Sequence, residues 1–347
     1  MADLPPASLR LLVDTAVLAA NWRTLDAMSG AAAAGAAVKA NAYGLGVDAV
    51  VPALRDAGCR QFFVAHWGEI PAVLRHVSAG EVCVLHGVTT AAEADFARAT
   101  GVLPVINSAQ QAGLWNAAGG GLCHLMVDTG INRLGVPREQ LGDAAVAALE
   151  VDLLLSHLAS ADEDSALNDV QLARFASVIP QVGARATSLA NSAGIALGAP
   201  YHFDLTRPGL ALYGGIARPE MASAIRPVVQ LQAEVIQRRT LAAGDSVGYN
   251  ATFAAACPME VATVAIGYAD GFLRVRGPGN SLTSHGCDLP VLGRVSMDMT
   301  VVDCTLAVDL KAGDFVDIPM DLPKQAALSG LSQYELLTIL GDRFARQ

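Results

Sequence analysis

Short apolar and β-branched runs recur along the first two thirds of the chain, near residues 34–38, 61–65, 81–86, 102–106, 122–128, 151–156, 186–190 and 207–213. Alanine-rich amphipathic stretches fill most of the gaps, most clearly at 47–57, 69–77, 91–99 and 166–179. Strand-like and helix-like periodicities thus alternate about eight times, the signature of an α/β fold with a (β/α)8 barrel. A doubly wound open sheet is the competing architecture. The count of eight, and the absence of a G-x-G-x-x-G turn after the first strand, favour the barrel. Beyond about residue 220 the texture changes. Runs near 231–235, 261–266, 289–291, 300–302 and 315–318 read as strands separated by turns such as Ala243-Gly244-Asp245, and no helical pattern follows until 333–340. The pattern predicts a barrel over residues 14–220 and a β-rich domain over 221–347. Residues 8–13 add a strand to the latter, and a helix follows over 14–28 with Asp14 at its N-cap.

Composition narrows the function classes. The chain has 347 residues, 52% of them apolar and 16% charged, which suits large cores and argues against disorder. A formal charge of −10 gives no reason to expect nucleic acid or an anionic membrane as partner. No basic patch precedes an apolar run within residues 1–10, and no run is long enough for a membrane span, so a cytoplasmic location is expected. Six scattered cysteines without C-x-x-C, and seven histidines without H-E-x-x-H, predict reduced thiols and no metal site.

One cation stands out. Of 23 Lys and Arg residues only Lys39, Lys311 and Lys324 are lysine, so Lys39 is alone in the first 310 residues. Arginine stays protonated; a lysine can lose its proton, attack a carbonyl and form a Schiff base. Lys39 also ends the first predicted barrel strand, and the C-terminal rim of such a barrel is where ligands bind. The same rim collects Asp128 after strand five, His157 after strand six, Asn191 and Ser192 after strand seven, and Arg207-Pro208-Gly209 at the last repeat. Singly, each is as well explained by packing or capping; together they outline a site.

The segment Val38-Lys39-Ala40-Asn41-Ala42-Tyr43-Gly44-Leu45-Gly46 resembles the pyridoxal-phosphate (PLP) attachment motif of alanine racemases. The resemblance continues through Asp128-Thr129-Gly130-Ile131-Asn132-Arg133-Leu134-Gly135 and Arg207-Pro208-Gly209-Leu210-Ala211-Leu212-Tyr213-Gly214. It runs on through Val247-Gly248-Tyr249, Gly267-Tyr268-Ala269-Asp270-Gly271 and Val295-Ser296-Met297-Asp298, nearly the whole chain in the family's order. It implies a homodimer with active sites shared between subunits, interconverting L- and D-alanine for a bacterial cell wall or for D-alanine catabolism. Lys39 would carry PLP and serve as one base, and Tyr249 of the partner subunit as the other. Tyr43, Ser192 and the amides of Gly209 and Leu210 would take the phosphate, with His157 and Asn191 also lining the cofactor. Arg207 would face the pyridine nitrogen, and being a donor only would leave that nitrogen unprotonated. Arg133, Met297 and Asp298 would serve the substrate.

Two departures from the family pattern stand out. Many members carry a carbamylated lysine two residues before the D-T-G segment, where this chain has Met126. Some also carry a phosphate-binding tyrosine near the C-terminus, and Ile339-Leu340-Gly341-Asp342-Arg343 has none. The competing functional readings are a racemase of broader specificity, a PLP carrier without catalysis, and a cofactor-free Schiff-base aldolase. A carrier needs no Tyr249, and an aldolase needs neither Arg207 nor Tyr43.

Overall fold

The computed structural model describes residues 5–277 and 279–347. Thr15–Arg226 form one compact unit, and the residues up to Asp14 together with Pro227–Gln347 form another.

The Thr15–Arg226 unit is a closed parallel barrel. Its strands are Ala33–Ala34 with Ala36–Ala37, then Phe62–Val64, Val82–Val84, Leu103–Ile106, Leu122–Asp128, Glu150–Leu155, Ala186–Ser188 and Leu205–Thr206. The first strand is broken at Gly35. Its second half pairs with Phe62–Phe63, while its first half pairs with Leu205–Thr206 and so joins the last strand to the first. A bridge between Asn191 and Arg207 completes the ring between the seventh and eighth strands. The interior and helix-facing positions are Val, Leu, Phe and Cys with almost no exposure, as expected of strands covered on both faces. Helix Thr15–Met28 buries Leu18, Trp22 and Leu25 against helix Val47–Ala57. Trp22 Nε1 donates to the Ala34 carbonyl at 3.2 Å, and Asp26 accepts the Ala34 N–H at 2.9 Å, so this helix grips the broken strand.

The β unit is built around Val229–Leu241, a strand of 13 residues. Along one half it pairs with Leu9–Val13 and Phe315–Ile318, along the other with Met259–Val264, with a register shift between Val235 and Gln237. Strands Thr300–Asp303, Cys287–Leu292 and Ser281–Ser284 complete the antiparallel ring.

Three expectations need correction. The last barrel strand is Leu205–Thr206, not 207–213; Pro208 has no N–H for a ladder, and Leu210–Tyr213 is a 3-10 turn. The stretch 69–77 is helical only over Ile70–Val73. The β unit also holds a helix, Leu322–Ser329, ahead of Gln333–Thr338; Asp321 caps it through the Lys324 N–H and Gly330 ends it in the left-handed region. All six cysteines are unpaired, Cys257 on the surface. No helix among the described residues is long and apolar enough to cross a membrane.

A Cβ at Gly35 would lie 2.9 Å from Phe63 Cε2 and 3.0 Å from the Gln61 carbonyl, both in the packed wall. Gly113, inside helix Ala109–Ala117, has open space instead. Gly35→Ala should therefore destabilise by about 1–3 kcal/mol, whereas Gly113→Ala should stabilise by about 0.5–1 kcal/mol. Opposite shifts in thermal unfolding midpoint are the expected result; shifts of one sign would contradict this packing.

Candidate active site

Lys39 follows the first strand directly and is half-buried at the barrel rim. The chain then makes a left-handed turn: Ala40, Asn41, Ala42 and Tyr43 have φ of 53°, 52°, 54° and 56°. For L-residues this crowds Cβ against the next carbonyl and costs roughly 1–2 kcal/mol each. Several contacts offset that cost. Ala42 N–H donates to Val38 at 2.9 Å and Gly44 N–H to Ala40 at 2.8 Å, and the Asn41 side chain accepts the Val47 N–H at 3.0 Å. Tyr43 stacks on Tyr213 with ring centroids 4.7 Å apart, and Tyr213 donates to the Ala37 carbonyl at 2.9 Å. Glu69 accepts the Ala40 N–H.

Next to it on the rim, beyond the seam with the last strand, Asn191 caps the short helix Ser192–Ala196 by accepting the Gly194 N–H at 2.9 Å. Ser192 Oγ accepts the N–H groups of Gly209 and Ala211 at 2.9 and 3.2 Å, which pins the loop after the last strand. A Cβ on Gly209 would meet the Tyr43 hydroxyl at 2.3 Å, so only glycine lets Tyr43 and this loop converge. Arg207 is buried, its terminal nitrogens donating to Ser188 Oγ and the Ser156 carbonyl, with the Leu189 carbonyl at 3.4 Å. Among the described residues it has no carboxylate partner, and burial pulls its pKa down to about 10. An arginine fixed in this way by its outer nitrogens suits a ring-nitrogen acceptor, and the tyrosine, glycine and serine beside it suit a phosphate. The residues present fit PLP.

A third part of the rim is the loop after Leu122–Asp128. One oxygen of Asp128 accepts the N–H groups of Gly130, Ile131 and Asn132 at 2.8, 3.1 and 3.2 Å, and Asn132 has φ 54°. Buried Gln171 donates to the Thr129 hydroxyl and the His157 carbonyl and accepts the Ala159 N–H, tying this loop to the next one. Arg133 leaves the loop exposed, and among the described residues it forms no ion pair. The positive charges meet electrostatically. Burial, then Arg133, lower the Lys39 pKa, with Glu69 opposing and Arg207 adding to the fall. Burial and the charges of Arg207, Arg133 and Lys39 bring His157 down to about 3, so its imidazole is neutral at physiological pH. Met126 is buried in the strand below, against Gly135.

The β unit, taken by itself, holds the remaining residues that the resemblance singles out. Tyr249 opens a turn after Gly248 (φ 73°) and is 64% exposed; Met297 is 53% exposed. The turn Gly267–Gly271 interlocks with the Met297 segment: Tyr268 and Ala269 N–H groups donate to the Ser296 and Met297 carbonyls at 3.0 Å. Arg343 bonds both Asp270, at 2.6 Å, and Asp298, at 2.7 Å. Asp298 is therefore engaged in an ion pair, an anchor that the sequence reading did not foresee.

Glu69, Gln171, Ser156, Ser188 and Arg343 were also missed. Glu69 reads in sequence as the acidic first turn of a surface helix, and Gln171 as a polar position on an amphipathic one; nothing local marks either as facing the rim.

Models of the alanine racemase N-terminal and C-terminal domains match residues 13–217 and 228–347. The alanine racemase of Methylobacterium nodulans is 41% identical, covering 97% of this chain and 95% of that protein. The crystal structure of alanine racemase from Bartonella henselae, with covalently bound pyridoxal phosphate, superposes with a TM-score of 0.90 at 35% identity over 99% of both chains. The biosynthetic alanine racemase of Pseudomonas aeruginosa gives 0.87 at 32% identity over the same share of each chain. With both domains matched in order and similarity running end to end, this chain belongs to the alanine racemase family.

Proposed function

We propose that Lys39 and Tyr249 of the partner subunit act as two bases on opposite faces of the alanine Cα, with PLP held at the barrel rim. The isomerisation of L- and D-alanine and the use of PLP follow from family membership; the residue roles and the shared dimeric site are inferred here. When bound, PLP supplies the electron sink that makes the Cα proton removable.

The observation that carries the reading is the setting of Lys39. Its amine sits half-buried at a strand end, and burial with Arg133 and Arg207 favours its neutral form. A neutral amine is what carbonyl attachment and proton abstraction both require. Arg207, held by Ser188 and Ser156, would offer the ring nitrogen a donor and no acceptor, which would disfavour protonation there. Tyr43, Ser192 and the Gly209–Leu210 backbone form the phosphate end, with Asn191 and His157 lining the remainder. Arg133, which forms no ion pair among the described residues, is matched to a substrate carboxylate, together with the Met297 amide. Asp298 holds that segment through Arg343. Proton removal from one face and delivery to the other calls for a second base. Tyr249 is a large side chain left exposed, as expected of a residue completed by another copy of the chain.

Borohydride reduction of the purified enzyme followed by peptide mapping should place the PLP adduct on Lys39; an adduct elsewhere sinks the assignment. Net turnover in the two directions is tied by the equilibrium constant, so the bases are better separated by exchange at Cα in deuterated water. Tyr249→Phe should lose about 10²–10⁴-fold in exchange from L-alanine and far less from D-alanine. Equal losses would remove the two-base assignment.

Met126 makes a third test. The wild-type enzyme is expected to work without a carbamate below Arg133. Met126→Lys in labelled bicarbonate should give a carbamate carbon resonance and a several-fold change in KM for alanine. Absence of both would show that position 126 does not govern Arg133.

A further inference from the structure

Glu69 belongs to none of the groups that hold cofactor or substrate in the account above. Its carboxylate nevertheless accepts three backbone N–H groups. One oxygen takes Ala65 and His66 at 2.8 and 2.9 Å, where the second barrel strand ends. The other takes Ala40, the residue next to Lys39. Hydrogen bonds to an ionised acceptor are roughly twice as strong as neutral ones, and this one falls on the first residue of the left-handed turn. If Ala40 were released toward the right-handed region, the Lys39–Ala40 peptide would rotate and carry the lysine side chain with it. Other bonds also brace this turn (Ala42 N–H to Val38, Gly44 N–H to Ala40, Asn41 to Val47, Tyr43 on Tyr213), but none of these ties Ala40 to the second barrel strand. Among the described residues, Glu69 is also the carboxylate that acts on Lys39, beside Arg133 and Arg207.

We propose that Glu69 is a positioning residue for Lys39, its carboxylate bridging Ala40 to the end of the second barrel strand so that the amine is held where it meets the cofactor. The inference rests on Lys39 being the PLP-bearing residue. Glutamine at 69 keeps the size but offers one oxygen; its NH2 group then confronts either the Ala40 N–H or those of Ala65 and His66. Aspartate keeps the charge but is one methylene short of spanning both sides.

The test uses holoenzyme and two readouts besides turnover: the visible circular dichroism of bound PLP, and the rate at which hydroxylamine removes it. Glu69→Gln should change the dichroism and speed removal tenfold or more, with kcat falling more than KM rises. Glu93→Gln is the control, because Glu93 also accepts two backbone N–H groups, Thr89 and Thr90, but at the start of helix Ala91–Thr100. It should lose stability at that helix and leave both PLP readouts at wild-type values. If Glu69→Gln does not accumulate folded, Glu69→Asp carries the test, with the same expected changes. Wild-type dichroism and removal rate in a folded variant of Glu69 would overturn the proposal, as would equal changes in Glu93→Gln. A wild-type enzyme lacking the Lys39 adduct would instead overturn the cofactor reading, before any variant is made.

Discussion

Positive charge concentrated at one end of a barrel is the constraint that organises this molecule. Lys39, Arg133 and Arg207 influence one another at the rim, and among the described residues Glu69 is the carboxylate that opposes them at Lys39. Such an arrangement is costly unless its members shed protons or find anions. Each member resolves the conflict differently. Lys39 is biased toward neutrality, and His157 is neutral outright. Arg207 is spread over serine and carbonyl oxygens. Arg133 projects outward. A cofactor bearing a phosphate and a substrate bearing a carboxylate are the complements such a rim would select, and the fold spends its glycines and serines on giving them access.

The same constraint explains why the rim is assembled from backbone as much as from side chains. Asp128 collects three amides, Ser192 two and Glu69 three, and in each case a polar side chain stiffens a loop. Loops carry function well when a rigid scaffold fixes them. Here the rigidity comes from these small hubs and from Gln171, which bonds to the loops after the fifth and sixth strands together.

The barrel was legible in the sequence because buried parallel strands are short apolar runs and their spacing is regular. The rim was partly legible. Lys39 stood out by composition, and Arg133, Arg207 and Tyr249 by their motifs. Glu69 and Arg343 were not, since their partners are backbone amides or distant aspartates and leave no periodic trace. The strand expected at 207–213 failed for a local reason: its apolar run packs as a 3-10 turn after Pro208. The helix Leu322–Ser329 had readable signals in Asp321, Pro323 and Gly330, but its apolar pattern was too short to outweigh the strand texture around it.

The break at Gly35 gives the first strand two masters. Ala36–Ala37 register against a neighbour close by in sequence, while Ala33–Ala34 register against Leu205–Thr206, about 170 residues further on. Lys39 lies just past that junction. During synthesis the seam of the barrel stays open until nearly the whole unit has emerged, and the geometry around the reactive amine is among the last features to be set. A nascent or truncated chain thus carries Lys39 without the last strand that closes the ring beside it.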